Sequence, residues 1–161
     1  MKKYNVAVLG ATGAVGQEMM KILEERSFPI AELRPLASAR SAGKTVTFRG
    51  QAVKVQEACD SAFEGIDIVL GAAENDIAEK LAPAIVKAGC VFVDNSSAFR
   101  MNPDVPLVIP EINPEDVKKH HGIISNPNCS TIITLVAVNA LNKISPIRTM
   151  TASTYQAVSG A

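Results

Sequence analysis

The sequence predicts an α/β protein built on a doubly wound, mostly parallel sheet with helices on both faces, followed by the beginning of a second, α+β unit. Three observations predict it. Short apolar runs alternate with amphipathic stretches along the chain, with no internal repeat and no linker. The runs at residues 5–9, 66–70 and 91–93 are apolar without regular alternation, as befits strands covered on both faces. The first of them ends in Gly10-Ala11-Thr12-Gly13-Ala14-Val15-Gly16 and leads straight into a helical pattern.

Composition bounds the role. With 161 residues, 47% of them hydrophobic, the chain can bury one ordinary core and part of another. Lys plus Arg number 16 and Asp plus Glu 16, so the formal net charge is zero. That balance argues against nucleic acid or a membrane surface as partner and makes any anion site a local one. No signal segment and no transmembrane span is expected. Cys59, Cys90 and Cys129 are an odd count at spacings that suit neither zinc nor a redox pair, so free thiols in a reducing, cytoplasmic setting fit best.

Residues 5–9 read as a central strand. The helix after the glycine turn sets Met19, Met20, Ile22 and Leu23 against Glu18, Lys21, Glu24 and Glu25. Strand, glycine-rich turn and helix open a Rossmann-like dinucleotide-binding unit. Gly10 permits the tight turn, Gly13 lets the backbone approach a pyrophosphate, and Gly16 permits close helix packing. Thr12, Ala14 and Val15 share this turn, where the first N–H groups of the helix can donate to an anion. Residues 32–37 read as the second strand, interrupted in pattern by Pro35. An NAD site places an acid near the end of that strand to bind the ribose hydroxyls. Here the place holds Ser38-Ala39-Arg40-Ser41-Ala42-Gly43-Lys44, and Glu32 lies at the wrong end. A guanidinium among hydroxyls suits a 2′-phosphate, so Ser38, Arg40 and Ser41 favour NADP(H) over NAD. The plainer reading of the same residues is a solvated turn. Residues 45–48 and 52–55 read as a hairpin to which no chemistry attaches.

Residues 66–70 are the next buried strand and residues 77–88 a helix, with Pro83 marking a first turn or a kink. The strand at 91–93 ends in Asp94-Asn95-Ser96-Ser97-Ala98-Phe99-Arg100. Ligands of open parallel sheets bind beyond the carboxyl ends of strands, which makes this run, with Arg100 behind it, an anion or cofactor contact. Residues 107–109 read as a further strand and 114–120 as a short polar helix. His120 and His121 read as cations on its C-terminus before the Gly122 stop, rather than as bases. After a strand at 122–124, Pro127 stops the chain's extension, and Asn128 is a good N-cap for an apolar helix over 131–141, buried on most sides. Cys129 falls in its first turn, where unpaired N–H groups and the helix dipole favour a nucleophilic, anionic sulfur. The plainer reading is a small buried hydrophobe. Residues 147–155 are a last strand-like run before Gln156-Ala157-Val158-Ser159-Gly160-Ala161. A chain ending there, one element beyond Cys129, reads as cut from a longer one.

Together these motifs, with Pro127-Asn128-Cys129-Ser130-Thr131 and Ser153-Thr154-Tyr155-Gln156-Ala157-Val158-Ser159-Gly160, resemble those of the aspartate-β-semialdehyde dehydrogenases, in that family's order and over the whole chain. The resemblance implies an NADP-binding domain at 1–128 and the start of a catalytic and dimerisation domain at 129–161. It implies NADPH-dependent reductive dephosphorylation of L-aspartyl 4-phosphate to aspartate semialdehyde and inorganic phosphate, in lysine, threonine and methionine biosynthesis. In that reading Cys129 is the nucleophile that carries a thioester, and Gln156 orients substrate. Arg100, with Asn128, takes the phosphate or the substrate carboxylate. Gly10, Thr12, Gly13, Ala14, Val15, Ser38, Arg40, Ser41, Asn95, Ser159 and Gly160 touch NADP(H). The family's catalytic His and substrate-gripping Arg lie further downstream and are not placed before Ala161, so this stretch alone is expected to be inactive. The resemblance implies a homodimer or homotetramer for the full-length form.

Two other readings compete. An N-acetyl-glutamyl-phosphate reductase shares the fold and the Cys logic, but it usually carries Gly where Asn128 stands. A cofactor-binding module without turnover is the non-enzyme reading. One departure from the family is Gly71-Ala72-Ala73-Glu74-Asn75 after the fourth strand, which puts the Glu74 carboxylate on a loop expected to pass near the cofactor.

Overall fold

A computed structural model describes residues 2–155. The strands are β1 (Tyr4–Leu9), β2 (Ile30–Ala37), β3 (Thr45–Phe48), β4 (Gln51–Lys54), β5 (Gln56–Glu57), β6 (Ile68–Gly71), β7 (Val91–Asp94) and β8 (Ile123–Ser125). The α-helices are α1 (Ala14–Glu25), α2 (Asn75–Lys87) and α3 (Cys129–Ile144). Six strands form one sheet in the order β5-β2-β1-β6-β7-β8, and every pairing in it is parallel. The period of two along β1 divides the core. Val6 and Val8 pack with Met20 of α1, Leu33 and Phe48, while Ala7 and Leu9 pack with Phe63, Phe92 and the Leu81–Ile85 side of α2. Both faces of the sheet are therefore covered, as the apolar strand runs require.

The crossover from β2 to β5 uses the β3–β4 hairpin where a helix would be usual. Its turn is Arg49-Gly50, both at positive φ, 50° and 72°, which suits the right-handed twist of a two-residue hairpin. Arg49 fastens the hairpin to the α1 side of the sheet: its N–H donates to the Glu24 carboxylate and its Nη2 to the Phe28 carbonyl. On the other face Arg34 donates Nη1 to the carbonyls of Ala62 and Glu64, at 2.9 and 3.0 Å, and pins the 3-10 turn Asp60–Phe63 against the sheet. Glu32, its ion-pair partner at 2.9 Å, is thereby accounted for.

Three expectations are corrected. Residues 107–109 are not a strand: Leu107 makes one isolated parallel bridge to Ser125, and Pro106 and Pro110 on either side supply no N–H to lengthen it. Residues 147–155 form no strand, since they pair with no strand among the described residues. Helix α3 has its expected start, yet it is not buried on most sides. None of its residues is buried, and Ile133, Leu141 and Ile144 are 72%, 62% and 84% exposed. The short polar segment is a 3-10 helix, Pro114–Lys119, and His120 accepts the Gly122 N–H at Nδ1 at 3.0 Å, closing the turn as a hydrogen-bond acceptor. Pro83 sits inside α2.

Candidate cofactor and thiol site

Crossovers leave β1 and β6 in opposite directions, toward β2 on one side and β7 on the other, and this is where a parallel sheet opens a crevice at its carboxyl end. A cleft of about 310 Å³ lies there. The β1 turn contributes Gly10, Thr12 and Gly13, the end of β2 contributes Ala37 and Ser38, and Ala72, Ala73 and Glu74 close it from β6. A larger hollow of about 600 Å³ lies elsewhere, between Asp60, Lys80, Pro83 and Lys87, and holds none of the expected site residues.

The turn between β1 and α1 is tight for a reason visible in its glycines. Gly10 has φ +86°, and a Cβ there would stand 2.5 Å from the Ala72 carbonyl oxygen. A Cβ on Gly16 would run into the Gly10 carbonyl, so this glycine lets α1 lie directly on the turn. A Cβ on Gly13 would meet only the Gly10 oxygen, at 3.4 Å. The fold has room for a side chain at Gly13, and what the glycine keeps clear is the space above the helix start. The N–H groups of Ala14, Val15 and Gly16, first in α1, have no intrahelical acceptor. Bare backbone donors beneath an open space fit a pyrophosphate.

On the β2 side the Ser38 carbonyl accepts the N–H groups of Ser41 and Ala42 at 2.8 and 3.0 Å, curling the loop back on itself. Arg40 is exposed and forms no ion pair among the described residues, and Ser41 is nearly buried, with Lys44 Nζ at 3.5 Å from its hydroxyl. Glu74 is the N-cap of α2, without a side-chain capping bond, and lines the cleft together with Lys80.

Across the sheet the ends of β7 and β8 are cross-braced. Arg100 donates Nε to the Asn126 carbonyl at 2.8 Å and Nη2 to the Asn95 carbonyl at 2.9 Å, leaving three of its five N–H groups. Asn126 donates its backbone N–H to Asp94 and its amide to Asn95 Oδ1, at 2.8 and 3.4 Å. Two residues further, Asn128 caps α3: its Oδ1 accepts from Ser130 N at 3.0 Å and from the Ser130 hydroxyl at 2.5 Å. Cys129, the first residue of α3, is exposed. Cys90 is buried, its Sγ donating to Ile66 and Phe63 carbonyls, and burial with Asp67 nearby pushes its thiol up. Cys59 is exposed beside the Ser61 hydroxyl. Gln156, Ser159 and Gly160 lie outside the described residues.

The structure thus brings Gly10, Thr12, Gly13 and Ser38 to one cleft and Asn95, Arg100, Asn128 and Cys129 to the neighbouring strand ends. Sequence reasoning missed Ile77 and Lys80, which enter the cleft from α2 at i, i+3 spacing. It also missed Asn126, and the clamp of Asn75 on Ser97, where Asn75 Oδ1 accepts from Ser97 N at 3.0 Å. The i, i+3 pattern behind the β6 turn was the available signal for the first pair; the clamp carries none.

Glycine turn, switch-point cleft and strand order define a dinucleotide-binding domain of the Rossmann type. The family model described as semialdehyde dehydrogenase, NAD binding domain, matches residues 5–120, and the chain belongs to that family. An aspartate-semialdehyde dehydrogenase of Synechocystis sp. is 54% identical over 156 residues, covering 97% of this chain and 46% of the relative. Aspartate semialdehyde dehydrogenase II of Vibrio cholerae, solved as a complex with ASA, superposes with a TM-score of 0.82 at 46% identity, over 88% of this chain and 47% of that one. The Candida albicans aspartate semialdehyde dehydrogenase solved with NADP gives a TM-score of 0.70 at 27% identity, over 91% and 48%. The chain spans about half the length of these relatives.

Proposed function

We propose that this chain is the NADP-binding part, and the nucleophile-bearing start of the catalytic part, of an aspartate-semialdehyde dehydrogenase, with the boundary at residue 128. The observation that carries the reading is an exposed thiol at the first residue of an Asn-capped helix, one turn beyond the Arg100 brace, on the same sheet edge as the open glycine cleft.

Residue by residue, the turn from Gly10 to Val15 takes the pyrophosphate, and Ser38, Arg40 and Ser41 take the 2′-phosphate. Asn95 faces the other end of the cofactor, with Ser159 and Gly160 closing over it. A nicotinamide cofactor held by these residues would supply the hydride for the reduction. Cys129 Sγ bonds to the acyl carbon of L-aspartyl 4-phosphate while the carbon–oxygen bond to phosphate breaks and inorganic phosphate leaves. The N–H groups at the start of α3 lie where negative charge develops on the acyl oxygen. Arg100, with Asn128, holds phosphate or the substrate carboxylate, and Gln156 orients the acyl group. Once the acyl carbon had taken up that hydride, the sulfur–carbon bond would break, its electron pair returning to Cys129 Sγ as the aldehyde departs.

No described helix is long and apolar enough to cross a membrane. Three free cysteines support a cytoplasmic setting, and a homodimer or homotetramer is the assembly that the family resemblance implies for the full-length form. The test compares this chain with a version extended by its native downstream sequence, following NADPH formation from aspartate semialdehyde, phosphate and NADP⁺. The extended protein turns over and loses that activity on Cys129→Ala. The 161-residue chain binds NADPH but turns over at least about 10²-fold more slowly, the lower end of what a lost proton-transfer group costs. Retained activity in the Cys129→Ala variant would refute the proposal.

A further inference from the structure

Asp94, the last residue of β7, is completely buried and forms no ion pair among the described residues. Burying a carboxylate without a cation is unfavourable unless hydrogen bonds replace its water. Here Oδ1 accepts the Ser96 N–H at 3.1 Å and Oδ2 accepts the Ser96 hydroxyl at 2.6 Å. That hydroxyl in turn accepts the Ala98 N–H at 3.2 Å. Ser125, the register partner of Asp94 on β8, carries a fully buried hydroxyl with no partner among the described residues. Paired residues on parallel strands share a face, so Ser125 lies on the same face as Asp94 without a hydrogen bond to its carboxylate. Gly71, the register partner on β6, makes room for it: a Cβ there would lie 3.0 Å from Asp94 Oδ1 and 2.7 Å from the Phe92 ring.

The turn that Asp94 holds is the one that sets Arg100. Residues 95–100 leave β7 and return Arg100 to the Asn95 and Asn126 carbonyls, and the Asp94 carbonyl itself accepts the Asn126 N–H at 2.8 Å. Both strand ends that carry the proposed anion site therefore hang on this one residue. The chemistry calls for a carboxylate. It is an acceptor at both oxygens, matching the two donors of Ser96, whereas an amide turns one of them into a donor and leaves one of the two Ser96 donors without its acceptor.

We propose that Asp94, through Ser96, is a positioning residue that presents the Arg100 guanidinium to phosphate beside Cys129. The inference rests on the proposed anion role of Arg100. The experiment measures, on this chain, the rate of Cys129 alkylation by iodoacetamide against inorganic phosphate, with NADPH affinity as the control, in the parent, Asp94→Asn and Ser96→Ala proteins. Phosphate slows alkylation of the parent. In both variants the phosphate concentration giving half protection rises at least about tenfold, while the NADPH Kd stays within about threefold, as expected when a charge-assisted contact is misplaced. Should Asp94→Asn fail to fold, Ser96→Ala gives the reading alone. Unchanged protection in the variants overturns the positioning role and leaves the Arg100 role standing. Absence of protection in the parent overturns both. Parallel loss of NADPH binding and protection would mark Asp94 as structural only.

Discussion

The three thiols sit in three environments that differ by position alone. Cys90 lies in the core against the Ile66 carbonyl, Cys59 is exposed before a 3-10 turn, and Cys129 is exposed at the start of a sixteen-residue helix. Iodoacetamide near neutral pH, read by mass spectrometry, is expected to label Cys129 first, Cys59 more slowly and Cys90 only on unfolding. Labelling of Cys59 as fast as Cys129 would show that the helix start contributes no activation. The place of Cys129 was legible because its causes are local: Pro127 ends the strand and Asn128 caps the helix within two residues. Lys80 and the buried Asp94 with its Ser96 partner were not legible as site features, because what makes them so is the packing of α2 and β7 at the strand ends. Glu74 was recognised as a departure, and it does line the cleft, in company with Lys80.

Among the elements, the turn between β1 and α1 shows how one motif serves fold and ligand through different glycines. Gly16→Ala forces a methyl into the Gly10 carbonyl and is expected to cost about 1–3 kcal/mol of stability, lowering Tm. Gly13→Ala meets nothing closer than 3.4 Å, so Tm should hardly move while NADPH binding weakens sharply. If Gly13→Ala instead lost Tm and retained affinity, the open space above the turn would not be the cofactor's. Strands β1, β6 and β7 were legible from their apolar runs. Helix α3 was legible as a helix and not in its burial, since apolar periodicity says that a face wants a partner without saying that this stretch of chain supplies it. Residues 107–109 and 147–155 fail as strands for the same kind of reason: β propensity needs a neighbouring ladder.

Over the whole molecule, zero net charge leaves recognition to local groups, and the sheet gathers them along one edge. From Ser38 through the glycine turn to Arg100 and Cys129, every proposed contact among the described residues lies at the carboxyl ends of parallel strands or in the loops that follow them. That arrangement was readable from the alternation of elements, since right-handed crossovers admit few other orders. The central claim is that the edge is built for NADP(H), with Arg40 in place of the acid that would bind a free ribose. The most direct measurement is an equilibrium titration of the chain and its Arg40→Ala variant with NADPH and with NADH. The predicted result is a loss of about 10- to 100-fold for NADPH, the worth of one charge-assisted hydrogen-bonded pair, with NADH affinity nearly unchanged. Equal losses for the two cofactors, or none for NADPH, would contradict it.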